Sequence, residues 1–410
     1  MARRNGGFVG QDGLDAPDPP TGITPTADGS TGSGKVSIAF TAPTDTGTSA
    51  ITGFVAQVST DGTDYSAGSN TGTSSPIVVS SLTAGAAATA KVWAINAYGT
   101  SAPSDASASF TPTAAIRGLI GGVGNNNSYT NVIEFITVST TGDSTDFGDR
   151  TVSSQRLSSF ASSTRGVFNG GQASANLNTI DYVTISTTGN ASDFGDTSAA
   201  SQHGVGLSSN VRGVMALGII TSGSDQAYVD TIDYVTIANT GNASDFGNLT
   251  MAKGYLTGCA SPTRGLIAGG YSDVHGTQNV IEYITIGSTG NGSDFGDLTS
   301  ARYAGSSCAS NTRGLFAAGY SSARENTIEY VTIASAGNVT DFGDLTSAQE
   351  RMASVCSNLR AVFAGGLVGP IASMDYVTIA STGNGSDFGD LSAVTHSAAG
   401  CSSGHGGIAA

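Results

Sequence analysis

The chain has 410 residues, 58 of them glycine, with 11% charged residues, a formal net charge of −15 at pH 7 and a pI of about 4.4. Such acidity repels phosphate and argues against a nucleic-acid partner, and no apolar run of about 20 residues is present to enter a membrane. Small residues interleaved with regular Ile, Val and Tyr runs suit an all-β protein of two or three domains, or a repeat array with one module attached.

Residues 1–16 are glycine-rich and lack any strand or helix period. A frayed terminus has that composition. So does an anchoring arm, in which Arg3, Arg4 and Phe8 on an otherwise acidic chain would dock into an acidic groove of a partner. The basic start has no apolar run behind it and does not read as a secretory signal. Pro17, Asp18, Pro19 and Pro20 then mark a boundary.

Over residues 17–113, alternating apolar and polar runs at 35–41, 51–59, 77–80 and 88–97 predict strands. Their spacing predicts a seven-stranded sandwich. The stretch resembles a fibronectin type III domain through Pro19-Pro20, Ala42-Pro43, Ile51-Thr52-Gly53-Phe54, Leu82-Thr83-Ala84-Gly85 and the run Lys91 to Ser104. It departs from that family where Phe40 replaces the core tryptophan and Ala88 the corner tyrosine. Trp93, the only tryptophan, is expected in the core or half-exposed on a strand. The resemblance implies a spacer.

Over residues 114–410 the pattern Gly-[Asn/Asp]-x-[Ser/Thr]-Asp-Phe-Gly-[Asp/Asn] occurs six times, with its Asp at 146, 193, 245, 294, 341 and 387. Self-similarity at such a period marks a propeller or another repeat array. Each repeat reads as four strands, here called a to d: a small apolar strand, an apolar strand ending in glycine, an alternating strand with an acid-aromatic pair, and a short strand at Asp-Phe-Gly. The order resembles the kelch repeat, with diglycines at 121–122, 170–171, 269–270 and 365–366. Six c–d pairs predict six blades. The first repeat lacks strand a, and residues 397–402 are expected to supply it and so remove an open edge. Residues 405–410 look like a seventh strand b.

Cys259, Cys308, Cys356 and Cys401 read as the same buried strand-a position, held by Phe160 and Leu207 in the first two repeats, and are expected to be free thiols. The repeated arginines (Arg117, Arg165, Arg212, Arg264, Arg313, Arg360) and acid-aromatic pairs read as blade-to-blade glue through Arg–carboxylate hydrogen bonds. The Asp-Phe-Gly stretch is similar to the sialidase Asp-box but lacks its tryptophan, and the arginine set of a sialidase cannot be assembled. Copper oxidases of the galactose oxidase kind also join a kelch propeller to a sandwich. The four histidines here are dispersed, and no metal spacing is present. The expectation is a non-enzymatic protein with no catalytic residues, no metal and no cofactor.

Variation between repeats gathers in the b–c loops, which hold Tyr129, Tyr228, Tyr271, His275, Tyr320 and Arg324, and in the d–a links. The links hold Arg156, His203, Tyr255, Arg302, Tyr303, Arg351 and His396. In an up-and-down blade both kinds of connection emerge on one face, which makes these residues the candidate ligand-binding set. Because the chain enters at strand b, the arm and sandwich are expected on the opposite side. Residues 1–8 and 312–346 resemble proteins of marine tailed bacteriophages (cyanophage-like) that join such a start to a fibronectin-like module and glycine-rich repeats. That resemblance implies a virion tail fibre or capsid decoration, made in host cytoplasm, contacting other virion proteins and a host surface glycan or protein. A cellular kelch-type interaction scaffold and a carbohydrate-active propeller enzyme are the alternatives.

Overall fold

The protein is described from a computed structural model covering residues 15–27, 34–83, 86–112, 116–124, 128–222, 225–369 and 371–408. It is all-β, with no helix among the described residues. Contacts divide it into two compact units, Met1–Ala115 and Ile116–Ala410. Arg3, Arg4 and Phe8 of the expected arm lie outside the described residues. Asp15 and Ala16, assigned to that arm, belong to the first unit: the Asp15 carbonyl accepts the Thr48 N–H at 3.1 Å, and Ala16 is buried.

The first unit holds β1 (Thr21–Ala27), β2 (Val36–Thr41), β3 (Ile51–Ser59), β4 (Gly68–Gly72), β5 (Ile77–Val79), β6 (Thr89–Asn96) and β7 (Gly99–Thr100). They form two antiparallel sheets, ordered β1-β2-β5 and β4-β3-β6-β7. The period of two decides the core: Val36, Ile38 and Phe40 of β2 and Ala90, Val92 and Ala94 of β6 point inward and join one cluster. Phe40 fills its site against Phe54 at 4.8 Å between rings. Trp93 lies half-exposed on the other face of β6, edge-on to Tyr65. Beyond β7 the partner of β6 is a serine ladder. Ser101, Ser104 and Ser107 donate their N–H groups to Ala94, Val92 and Ala90, and their hydroxyl oxygens accept the N–H of the same three residues at 2.9–3.0 Å. The hydroxyls stand in for strand carbonyls, so every polar group on that edge of β6 is satisfied.

The second unit holds six antiparallel sheets with strands in the order a-b-c-d, besides a two-stranded hairpin of Tyr271–Ser272 with Gly276–Thr277. Five draw their strands from consecutive sequence. The fifth sheet, for example, runs Ser306–Ala309, Arg313–Ala317, Glu325–Thr332 and Thr340–Gln349. The first takes strand a from the other end of the chain: Ala399–Ser402 pairs with Arg117–Gly121, Cys401 opposite Leu119. Strand a of each sheet touches strand a of the next, and the last touches the first, so the six sheets form a closed cycle. The second sheet is widened by a hairpin from the third repeat's b–c loop, Ile219–Ser222 with Asp225–Tyr228, whose Ile219 and Ile220 pair with Gln202 and Ser201.

Two side-chain cycles hold the sheets together. Each repeated arginine lays its guanidinium over the aromatic ring of its own strand c, at 4.3–4.7 Å. Its Nη1 then donates to a backbone carbonyl of the next sheet (Ile185, Ile237, Ile286, Ile333, Ile379 and, closing the cycle, Val138) at 2.8–3.3 Å. The arginine glue therefore runs through carbonyls and not through the expected carboxylates. The carboxylates make the second cycle. Asp181, Asp233, Glu282, Glu329, Asp375 and Glu134 are buried and accept hydrogen bonds from Thr151, Ser198, Thr250, Thr299, Thr346 and Ser392 of the preceding sheet. Three of them also hold a buried cation: Arg150–Asp181 at 3.0 Å, Lys253–Glu282 at 2.9 Å and Arg302–Glu329 at 2.6 Å.

The Asp-Phe-Gly motif sits inside strand d at a β-bulge, with the phenylalanine as the extra residue. The bulge buries Phe147 and its five counterparts, each edge-on to the strand-c aromatic ring. The four cysteines are free and buried. Cys259, Cys308 and Cys401 share one strand-a position, but Val355 occupies it in the sixth sheet and Cys356 follows one place later. A shift of one residue turns a side chain to the other face. That brings the Cys356 thiol to the Ala309 carbonyl, while the Cys308 thiol meets the Val355 carbonyl.

Residues 404–408 are not a seventh strand b. They close the a–b end of the space between the six a strands. His405 Nε2 lies 2.9 Å from the Ala161 carbonyl, and the Gly406 N–H donates to the Ala309 carbonyl. Gly404 bridges to Ser357, and Ile408 is buried. Gly407 packs so closely on the Ser208 carbonyl that a Cβ there would stand 1.7 Å from the oxygen. The space inside is narrow because the strand-a residues facing it are small, Ser159, Gly206, Gly258, Ser307, Ser354 and Gly400 among them.

Candidate ligand-binding funnel

At the other end of that space the six d–a links meet in a ring. Arg156, His203, Tyr255, Ala304, Arg351 and Ser397 hold one equivalent position in successive links, and all six have φ between +55° and +60°. In that left-handed conformation each donates its N–H to the carbonyl of the previous member, at 2.8–3.1 Å, and Arg156 closes the circle by donating to Ser397. Every amide of the ring is thereby satisfied, and six side chains of five kinds are set around the mouth of a funnel. The funnel is blind, because the tail at 404–408 stops the far end.

The ring side chains converge. The His203 imidazole stacks on Tyr255 with centroids 3.8 Å apart. The Arg351 guanidinium leans over the same Tyr255 ring at 5.8 Å. Arg156 is aimed by two amide oxygens, Gln172 Oε1 at 2.7 Å and Gln202 Oε1 at 3.0 Å. Around Tyr255 runs a belt of half-buried tyrosines: Tyr303 at 5.4 Å, then Tyr320 on one side and Tyr271 with Tyr228 on the other. Arg324 lies over Tyr320 at 5.9 Å and pairs with Glu350.

The electrostatics follow from this crowding. Burial, then the charges of Arg156 and Arg351, push the His203 imidazole well below its usual pKa. Burial and the same two arginines lower His396. Arg156 is itself lowered by burial and by Arg351, so two like charges share one recess. Burial and the neighbouring Tyr255 push Tyr228 up to about 12, and burial with Glu350 raises Tyr303. Tyr228 and Tyr303 are therefore held as neutral phenols able to donate hydrogen bonds. His203 Nε2 and the Nε atoms of Arg156 and Arg351 are buried without a hydrogen-bond partner.

Of the thirteen residues predicted from the sequence, the structure gathers Arg156, His203, Tyr228, Tyr255, Tyr271, Tyr303, Tyr320, Arg324 and Arg351 into this one assembly. Tyr129 is exposed and close enough to Arg156 to act on its charge. His396 is buried beside the ring, its Nδ1 3.1 Å from Ser397 Oγ. Two depart. Arg302 is buried in its ion pair with Glu329 and belongs to the sheet-to-sheet contact. His275 is exposed on the tip joining Tyr271–Ser272 to Gly276–Thr277, and its imidazole takes no part. Sequence reasoning missed Gln172, Gln202 and the ring itself. The signal was available: five ring members stand nine residues ahead of the strand-b arginine (156 to 165, 203 to 212, 255 to 264, 304 to 313, 351 to 360). Among the described residues, no group of His, Cys, Asp or Glu is placed to hold a metal ion. No protein-family model and no curated protein matches the chain.

Proposed function

We propose that the second unit is a six-bladed kelch-like β-propeller, the first a fibronectin type III-like spacer, and the protein a non-enzymatic binding component of a tailed-phage virion. Its d–a face is displayed to a host surface glycan or protein. The observation that carries this reading is the blind funnel, lined by Arg156, His203, Tyr255 and Arg351 from variable connections, with the tyrosine belt stacked beside it through Tyr255 and Tyr303. The closed cycle of six sheets, each with the a-b-c-d order, supports the propeller. Among the described residues, the funnel lining contains no carboxylate. The virion setting rests on the resemblance at residues 1–8 and 312–346.

Immunogold labelling of purified particles with antibody to residues 114–410 tests the setting. Label on tail or head supports it, and unlabelled particles favour the cellular scaffold. Adsorption of the fluorescently labelled full chain to host cells tests the face. The double variant Y303A/Y320A, which leaves the six-residue ring intact, is expected to lower adsorption at least tenfold. Unchanged adsorption would remove the face from the reading.

A further inference from the structure

We propose that the funnel recognises a carboxylate-bearing sugar, a uronic or related acid of a surface polysaccharide, with the acid held between Arg156 and Arg351 and the sugar ring seated on the tyrosine belt. The inference rests on the reading that this face binds a ligand and names its chemical class.

Four observations lead there. First, the chain carries a net charge of −15, yet two half-buried arginines project into one recess. Among the described residues neither has a carboxylate partner. Other buried cations of this unit, Arg150, Lys253 and Arg302, do have one. An anion bridging the two guanidiniums would remove the repulsion between them and accept charge-assisted hydrogen bonds.

Second, polar atoms stand unused. The Nε atoms of Arg156 and Arg351 and Nε2 of the nine-tenths-buried His203 meet no partner. Buried polar groups are ordinarily satisfied, so the link ring holds these three side chains with hydrogen-bonding capacity to spare.

Third, Arg156 is held in place. Gln172 and Gln202 accept from its Nη1 with neutral amide oxygens. They fix its direction without cancelling its charge, the arrangement expected of a recognition group and not of a structural ion pair.

Fourth, the neighbours of these cations suit a saccharide. Tyr255, Tyr303 and Tyr320 form a continuous half-buried aromatic surface, which stacks on the C–H face of a sugar, while their phenols donate to its hydroxyls. The funnel mouth, open at the d–a links, suits the end of an extended ligand rather than a folded partner. An acidic peptide would use the arginines but leave the aromatic surface idle.

The test is calorimetric titration of the full chain with a glucuronate-containing trisaccharide, its neutral glucose counterpart, a sulfated counterpart and a Glu-rich peptide. The expected result is binding of the glucuronate ligand at least tenfold tighter than the neutral one, weakened by added salt. R156Q and R351Q should each reduce that affinity at least tenfold with unchanged melting temperature. Competition of wild-type binding by free glucuronate, but not by glucose, gives the same information should either variant fold poorly. Equal binding of the neutral trisaccharide, or indifference to both substitutions, overturns the acid inference but keeps the glycan reading. Preference for the sulfated sugar moves the ligand to sulfate esters and overturns the carboxylate. Preference for the peptide, or no binding by any of the four, overturns it as well. Host-cell adsorption that stays sensitive to Y303A/Y320A would then show that the face-binding reading survives.

Discussion

At the scale of single residues, the same side chain type does unlike work according to its partner. The strand-b arginines combine a cation–π contact with one charged hydrogen bond to a carbonyl, or two in Arg117 and Arg165, each interaction worth about 0.5–3 kcal/mol. Arg264→Ala should therefore cost about 1–3 kcal/mol in denaturant unfolding. The strand-c acids divide into two kinds. Asp181 shares its site with a buried guanidinium, and Asp181→Ala strands that charge, at about 3–5 kcal/mol. Asp233 receives only hydrogen bonds from Ser198, so Asp233→Ala should cost about 1–3 kcal/mol. Equal losses would contradict the division. The histidines set the acid response. His203, His396 and His405 all have folded-state pKa values below the usual one, with burial the first cause for each. His405 is also committed to one tautomer: Nδ1 accepts the Gly407 N–H at 3.0 Å, which leaves Nε2 to donate to Ala161. The unfolded chain binds protons at these imidazoles near pH 6.5 and the folded chain only at lower pH, so stability is full above about 6.5 and falls as pH drops through it. Thermal melts between pH 7.5 and 5 should show that fall, and His405→Gln should make it shallower.

At the scale of elements, shape is set where backbones approach closely. The glycine of Asp-Phe-Gly has φ near +145° in every repeat, and in Gly296 a Cβ would stand 2.3 Å from the Gly337 carbonyl of the next sheet. Gly296→Ala should cost about 1–3 kcal/mol. Gly290→Ala, with nothing within 4 Å of the added carbon, should stay within about 0.5 kcal/mol. The tail is the second such element. Ending the chain after Ser403 removes His405, Gly406 and Ile408 from the a–b end of the channel. Burial holds the Cys259 thiol well above its ordinary pKa and Cys401 at about 12, so neither reacts while the channel stays closed. The shortened chain should melt lower and expose its thiols to a disulfide reagent in the native state. Unreactive thiols in that chain would assign the tail no closing role.

At the scale of the whole molecule, each unit is stabilised by its own contacts. The core of the first unit, from Val36 to Ala94, draws on no residue beyond 115, so residues 15–112 expressed alone should show a cooperative melt. The second unit depends on closure. Strand Ala399–Ser402 is both the partner of Arg117–Gly121 and the neighbour of the second and sixth a strands. A chain ending at Ala398 should lose cooperative folding of the entire unit, since the open edge and two sheet contacts disappear together. Retention of a native melt would mean that the cycle is dispensable.

Local and periodic features were legible in the sequence. Strand alternation put β2, β3 and β6 where they are, and a repeating Asp-Phe-Gly with its four-strand order gave six sheets and the N- to C-terminal pairing. The same regularity marked the d–a and b–c connections as the place where unlike aromatics and arginines collect, because only those segments escape the repeat. Contacts between repeats were not legible, since they depend on which sheet a side chain reaches. The arginines could not be assigned to carbonyls, nor Arg302 to Glu329, from one repeat read alone. Cys356 shows the limit most plainly, as a single step in register put it on the other face. The tail looked like one more strand b because its residues resemble one. With Arg117–Gly121 already paired on both edges no edge was left to accept it, and the unfilled end of the channel decided where it packs.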